Sequence, residues 1–309
     1  LQKSLKSVLL CYLLGIGFVS AEKYRGEIFL LLRDPVSTAK GNTGVSDPQS
    51  LGTILLNPSL VNLVSPGAYF SHFEGYNGLI AVENLSVKID IGGVLNKSAI
   101  NIFYLHSDPL EVTKLKDENL GIVEGNIEVI GTHLYRFFLL SWITGKEISK
   151  KSYFGVSIKL FRESFYNYAE NGAGVDLGYF IHLKNLAVGI TARDVFFSIF
   201  KGKSLEVAYP SFVLGLTKIS KSMNWIMEAE LFSDGPYPGA IINLGRLSMD
   251  FKFGAEYRPT DNLAVRIGFY RGYFNGGAGI NWKKLNLDYS ISPNPELNVT
   301  HKIGAGICF

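Results

Sequence analysis

The chain has 309 residues, 47% of them hydrophobic, and a net charge of only +3, with no basic stripe of the kind nucleic acid selects. Glycine (33), phenylalanine (21) and tyrosine (16) are abundant while methionine (3) and histidine (5) are scarce, a balance that favours strands and tight turns over helices. The two cysteines, Cys11 and Cys308, exclude an extended disulfide framework and a cysteine-rich metal site.

Residues 1–21 read as a cleaved signal peptide. Lys3 and Lys6 supply the positive region, Val8 to Val19 the apolar run, and Val19-Ser20-Ala21 the small residues of a cleavage site before Glu22. The run is too short and too early for a membrane-spanning helix. A lipoprotein reading through Cys11 is disfavoured, because Cys11 lies inside the apolar run and follows the large Leu10. Later in the chain no stretch approaches 18 uninterrupted apolar residues, so a membrane location requires a closed barrel.

Residues 22–66 do not alternate. Asp34-Pro35, Asp47-Pro48 and Asn57-Pro58, with Gly41, Gly44 and Gly52, argue against a strand. Leu51 to Leu56, with Leu60, Leu63 and Val64, predict a short helical or irregular packed piece.

From residue 67 to residue 309 apolar and polar residues alternate with a period of two. Strands are predicted at 67–75, 84–91, 98–106, 126–141, 152–162, 173–182, 186–196, 210–219, 224–232, 247–258, 263–270, 274–282, 285–291 and 300–309. Many of these approach the ~9–11 residues a tilted strand needs to cross a bilayer. A soluble sandwich also alternates, and three features separate the two. First, links after even-numbered strands are tight, as at Leu183-Lys184-Asn185, Pro259 to Asn262, Lys283-Lys284 and the predicted link Thr144 to Lys150. Links after odd-numbered strands are mostly longer, as at Ser107 to Gly125, Phe197 to Tyr209, Ser233 to Arg246, and a predicted loop Phe161 to Ala169 that holds Glu163, Tyr166 and Tyr168. That parity suits a barrel inserted from one side. Second, Tyr257, Phe269, Trp282, Tyr289 and Phe309 lie at or near strand ends, where an aromatic girdle would sit. Third, Val299, Ile303, Ala305, Ile307 and Phe309 share one face of the last strand, a pattern like the signal that bacterial barrel-assembly machinery reads. Arg193, Asp250, Lys252, Glu256, Arg266 and Asp288 all fall on the polar, lumen-side face, which avoids the ~2–4 kcal/mol cost of a basic residue in mid-bilayer.

The chain resembles the outer-membrane long-chain fatty-acid transporter superfamily (FadL-like), and within it the smaller PorV/PorQ-like proteins. The resemblance is carried by Gly41-Asn42-Thr43-Gly44-Val45, Ser46-Asp47-Pro48-Gln49-Ser50 and Asn57-Pro58-Ser59-Leu60 near one end. Near the other it is carried by Phe253 to Pro259, Leu263 to Phe269, Leu285 to Ser290 and Thr300 to Gly304. The family's Met-Gly-Gly run is absent, Asn-Pro is followed by Ser, and residues 108–170 have little counterpart. The resemblance implies an all-β, up-and-down transmembrane barrel of about fourteen strands over 67–309, plugged by residues 22–66, in the bacterial outer membrane.

No catalytic set is visible. The histidines are scattered over different strands, helical metal-ligand spacings are absent, and no Gly-x-Ser-x-Gly elbow occurs, so neither enzyme activity, metal nor cofactor is expected. Asn57-Pro58-Ser59 is the candidate gating element; equally, it is a helix start with Asn as cap and Pro at the first position. Arg193 and Arg266 face the lumen, either to meet an anionic headgroup or to form structural ion pairs with Asp250, Glu256 or Asp288. Three functions compete: passage of hydrophobic, fatty-acid-like molecules, the preferred reading; a PorV-like accessory of a secretion system, binding a partner protein through its loops; and a structural surface barrel. The expected partners are outer-membrane lipid, the assembly machinery through the Phe309 strand, a hydrophobic ligand and, on the second reading, a secretion-system protein.

Overall fold

The structure is a computed structural model and describes residues 27–90, 97–196, 198–202, 205–233, 235–236, 240–294 and 298–309. The predicted signal peptide, and residues 92–96 between the predicted strands 84–91 and 98–106, lie outside these residues.

Fourteen antiparallel strands close into a barrel. They are β1 (Gly67–Gly75), β2 (Ile80–Asp90), β3 (Lys97–Ser107), β4 (Arg136–Ser149), β5 (Ser152–Phe165), β6 (Tyr168–Leu183) and β7 (Leu186–Arg193). The second half comprises β8 (Ser211–Lys218), β9 (Met223–Phe232), β10 (Leu247–Thr260), β11 (Leu263–Tyr270), β12 (Tyr273–Trp282), β13 (Leu285–Asn294) and β14 (Asn298–Cys308). Each strand pairs with the next, and β14 returns to β1 in the register Gly67↔Cys308 to Glu74↔His301. Closure leaves no open edge, the condition for strands to cross lipid. No helix among the described residues is long and apolar enough to span a membrane.

Alternation becomes geometry directly. On β11, Leu263, Val265 and Ile267 are exposed while Ala264, Arg266 and Gly268 are buried. On β14, Ile303 and Ile307 point out and Lys302 points in. Asp250, Lys252, Glu256 and Arg266 are all buried inside. The outer wall carries exposed Trp142, Trp225, Tyr257, Trp282, Tyr289 and Phe309, the amphipathic rings that suit a bilayer interface.

Several boundaries differ from the sequence expectation. The predicted strand at 126–141 is two strands: Ile127–His133 pairs with Leu110–Leu115 in a separate hairpin, and β4 begins at Arg136. The hairpin projects from the β3–β4 link, and its alternation mimics a wall strand. The Thr144 to Lys150 link is strand as far as Ser149, because Lys146 and Glu147 pair with Phe154 and Tyr153. The loop predicted over Phe161 to Ala169 is a hairpin turn at Tyr166-Asn167, with Glu163 in β5 and Tyr168 in β6. Polar residues there reflect a strand end outside the apolar band, where charge costs little. Pro259 lies within β10, at a register shift between Tyr257 and Thr260 where its missing N–H is tolerated.

The long links, 108–135, 194–210 and 233–246, all follow odd-numbered strands. The tight turn Arg271-Gly272 lies at that same end of the barrel, with φ of 49° and 85° at its two residues, the left-handed pair a two-residue hairpin needs. We call this the long-link end and the other, where Gly67 and Cys308 pair, the terminal end.

Ile267 is 55% exposed in the middle of β11. Ile267→Lys should cost about 2–4 kcal/mol, and Ile267→Leu less than about 1.5 kcal/mol. Urea unfolding in liposomes measures both; equal stability would contradict a lipid-facing wall.

Candidate functional site

Residues 33–64 make one circuit of the inner wall, touching the strands in descending order. Lys302 of β14 donates to the Arg33 carbonyl (3.1 Å). Helix α1 (Pro35–Ala39), capped by Asp34 Oδ1 accepting from Ser37 N at 2.8 Å, packs on β13 and β12. Lys40 and Gly41 lie on Gly254 of β10 and Gly268 of β11. Glu228 of β9 accepts from the amides of Gly44 (2.7 Å) and Val45 (2.6 Å). Ser46 shares a hydrogen bond with Thr217 of β8 (2.7 Å), and the Val45 carbonyl rests on Gly189 of β7. Asn57 donates to the Tyr179 carbonyl of β6 at 3.2 Å. Pro58 and Ser59 lie on Gly155 of β5, and Asn62 on Gly145 of β4. Leu60 and Val61 join a core with Ala99 of β3, and Lys88 of β2 donates to the Val64 carbonyl.

The wall can accept this segment only where it lacks side chains. A Cβ on Gly268 would overlap the Gly41 amide nitrogen and stand 2.5 Å from its Cα. A Cβ on Gly189 would overlap the Val45 carbonyl. Both contacts are with backbone, which cannot rotate away as a side chain can.

Asn57, Pro58 and Ser59 form one buried corner of the circuit. Asn57 Oδ1 accepts from Ser59 N (3.1 Å) and Ser59 Oγ (2.7 Å) at the start of a 3-10 helix, Pro58–Asn62. Its Nδ2 donates to the Val45 carbonyl at 2.8 Å as well as to Tyr179. Helix cap and wall attachment are thus served by one side chain. A second 3-10 helix, Leu51–Leu55, gives the packed piece expected from the leucine spacing.

Arg193 and Arg266 do not share a site. Arg193 pairs with Glu230, which also binds Lys252 and lies 3.8 Å from Arg33. Arg266 bridges Glu256 and Asp288, each at 2.7 Å, and Tyr69 donates to Asp288 at 3.2 Å. Both guanidinium groups are therefore engaged by carboxylates. Arg258 joins Glu256 (2.8 Å) to Gln49, and Lys40 binds Asp47 within the segment. Loss of one partner from a buried pair costs about 3–5 kcal/mol, so these pairs hold the wall, and the segment joins them through Arg33 and Gln49.

Among the described residues, two cavities in the lumen share no lining residue. One, of about 280 Å³, opens at the long-link end and is lined by residues including Arg33, Phe73, Tyr270, Arg271, Tyr273 and Lys302. The other, of about 160 Å³, lies at the terminal end between residues 48–51 and 63–65 and the ends of β1 and β14. Next to the first, and sharing Phe73 with it, residues 28, 29 and 31 pack against Phe73, Phe103, Phe137, Phe161 and Phe200; Phe29 meets Phe161 edge-on at 5.3 Å. Arg33, Lys302 and Arg271 were not singled out in the sequence. The inward parity of β14 selects Lys302, but Arg33 sits where no period exists.

No protein-family model matches the chain, and no curated protein is similar to it in sequence. Solved structures share its fold. The toluene transporter TbuX of Ralstonia pickettii superposes with a TM-score of 0.61 at 12% identity, over 90% of this chain and 98% of that one. The toluene transporter TodX of Pseudomonas putida gives 0.60 at 12%, over 90% and 98%. A FadL homologue of Pseudomonas aeruginosa gives 0.52 at 9%, over 89% and 98%.

Two substitutions test the circuit. Gly268→Val suits a strand but not the segment above it; residues 40–60 should become protease-sensitive while heat-modifiable migration of the barrel persists. Asn57→Ala removes a cap worth about 1 kcal/mol and orphans buried carbonyls at about 1–3 kcal/mol. Hydrogen exchange at Ser59 and Leu60 should accelerate accordingly, and unchanged protection would deny the corner its role.

Proposed function

We propose that the protein is an outer-membrane channel of the FadL-like type that passes small hydrophobic or amphiphilic molecules, with residues 33–64 as its gate. The observation that carries this reading is the circuit itself. A purely structural barrel has no need to seat a non-repetitive segment on every strand and to keep cavities at both ends of it. The shared fold with toluene transporters and a FadL homologue supports the same reading. Molecules would enter the cavity at the long-link end and cross when α1 and the Asn57 corner shift. Arg193 and Arg266 act in this scheme as anchors of the closed arrangement, holding wall carboxylates rather than ligand.

One feature favours the PorV-like alternative, a secretion accessory. The hairpin formed by Leu110–Leu115 and Ile127–His133 projects with exposed Leu120, Ile122, Val123 and Val129, a surface a partner protein would cover. Deletion of the gene should lower uptake of labelled toluene and labelled long-chain fatty acid by whole cells, and plasmid-borne protein should restore it. Unchanged uptake together with loss of secreted proteins would transfer the assignment to the alternative.

A further inference from the structure

Among the described residues, the cavity at the long-link end is lined by Arg33, Arg271 and Lys302 and by no carboxylate. The described carboxylates of this half of the lumen stand outside the lining; Asp34, next to Arg33, caps α1 through Oδ1 while its Oδ2 has no hydrogen-bond partner. Glu228 holds the Gly44 and Val45 amides, Glu230 holds Lys252 and Arg193, and Asp250 holds Arg271 at 2.7 Å. Lys302 is buried, and among the described residues its recorded contacts are the Arg33 carbonyl (3.1 Å) and the Phe73 ring, whose centroid is 4.0 Å from Nζ. Arg33 is 7% exposed; its Nη1 donates to the Leu30 carbonyl at 2.9 Å, and its Nε has no hydrogen-bond partner. Thr38, 2% exposed, also lines the cavity, and its Oγ1 is likewise unpartnered. A buried donor without a partner costs about 1–3 kcal/mol. A neutral hydrocarbon offers these groups nothing, whereas an oxyanion in the cavity meets three cationic side chains and can form charge-assisted hydrogen bonds once the lining adjusts to it.

The rest of the lining sets the body of the ligand. Phe73, Tyr76, Tyr270 and Tyr273 present ring surface, with Asn275 and Ser292 between them. The volume, about 280 Å³, falls just below the ~300–1,000 Å³ of pockets that enclose drug-sized ligands. We propose that this cavity binds a compact organic anion, an aromatic carboxylate being the class that fits: carboxylate toward the Arg33, Arg271 and Lys302 side chains, ring among the tyrosines. As a statement about the transported class, this rests on the channel reading; as a statement about binding, it does not.

Calorimetric titration of the purified full-length protein in detergent, with benzoate and its neutral isostere benzamide, tests the site. Benzoate should bind at least about tenfold more tightly, and Lys302→Met should remove that preference. Because Lys302 also anchors the segment, Arg271→Gln at the rim is the second variant. It should weaken benzoate severalfold and leave benzamide unchanged. Equal affinity for the two ligands, or no benzoate binding by the wild-type protein, overturns the anion site, and hydrocarbon uptake persisting in that case leaves the channel reading intact. Selective benzoate binding by a protein that supports no uptake keeps the site and removes the channel.

Discussion

Everything in the lumen follows from the need to satisfy a non-helical backbone inside a closed wall. Residues 33–64 are too broken by proline and glycine to bond to themselves for more than a turn, so their amides and carbonyls must find partners elsewhere. The wall supplies them from side chains: Glu228 to two amides, Lys302 and Lys88 to two carbonyls. It also supplies room by omitting side chains. Gly155, Gly189, Gly254 and Gly268 lie on different strands, yet each faces backbone or the first atoms of the segment. Hydrogen bonding and close approach are thus met at the same height around the barrel, and the strand register that closes β14 on β1 brings them level.

The charges follow from the same constraint. A lumen-facing charge is screened from lipid by the wall, but the segment then screens it from water as well, so each must be paired. Arg266 with Glu256 and Asp288, and Glu230 with Lys252 and Arg193, meet that need on the wall alone. The Arg33 and Gln49 contacts tie the segment to those same clusters. Displacing the segment would therefore rehydrate pairs that remain paired, a far smaller penalty than breaking them. The wall pairs therefore do not depend on the segment for their stability.

Much of this was legible in the sequence because a barrel wall has only two faces. Period-two alternation assigned Asp250, Lys252, Glu256 and Arg266 to the interior, and turn parity ordered the ends. Where the sequence misled, the cause was polarity at strand ends: Glu163 and Lys146 lie beyond the apolar band, so paired strand there looks like loop. The hairpin at Ile127–His133 misled in the opposite sense, since alternation reports a two-faced strand and says nothing of which sheet it joins. Asn57-Pro58-Ser59 was readable as a cap from local chemistry. Its bonds to Val45 and Tyr179 were not, because they join residues 12 and 122 positions away. Arg33 was out of reach for the same reason, and Arg193 found Glu230, a carboxylate that alternation places inside but cannot match to a partner.

The lumen is asymmetric in a way that bears on any route through it. On the side of β1 to β5, the segment and the residues before it meet Phe73, Phe103, Phe137 and Phe161, joined by Phe200 of the β7–β8 link, and Phe29 meets Phe137 and Phe161 edge-on. On the side of β11 to β14, it meets Gly277 and Gly304 through Ala39 and Pro35, small groups with little apolar area to lose. Separation costs roughly 25 cal/mol per Å² of apolar surface re-exposed, so the second side parts at lower cost. Both cavities border that side: one through Tyr273, Asn275 and Thr300, the other through Asn286, Gly306 and Ile307. On the proposed channel reading, α1 would therefore part from the β11 to β14 wall before the phenylalanine cluster opens.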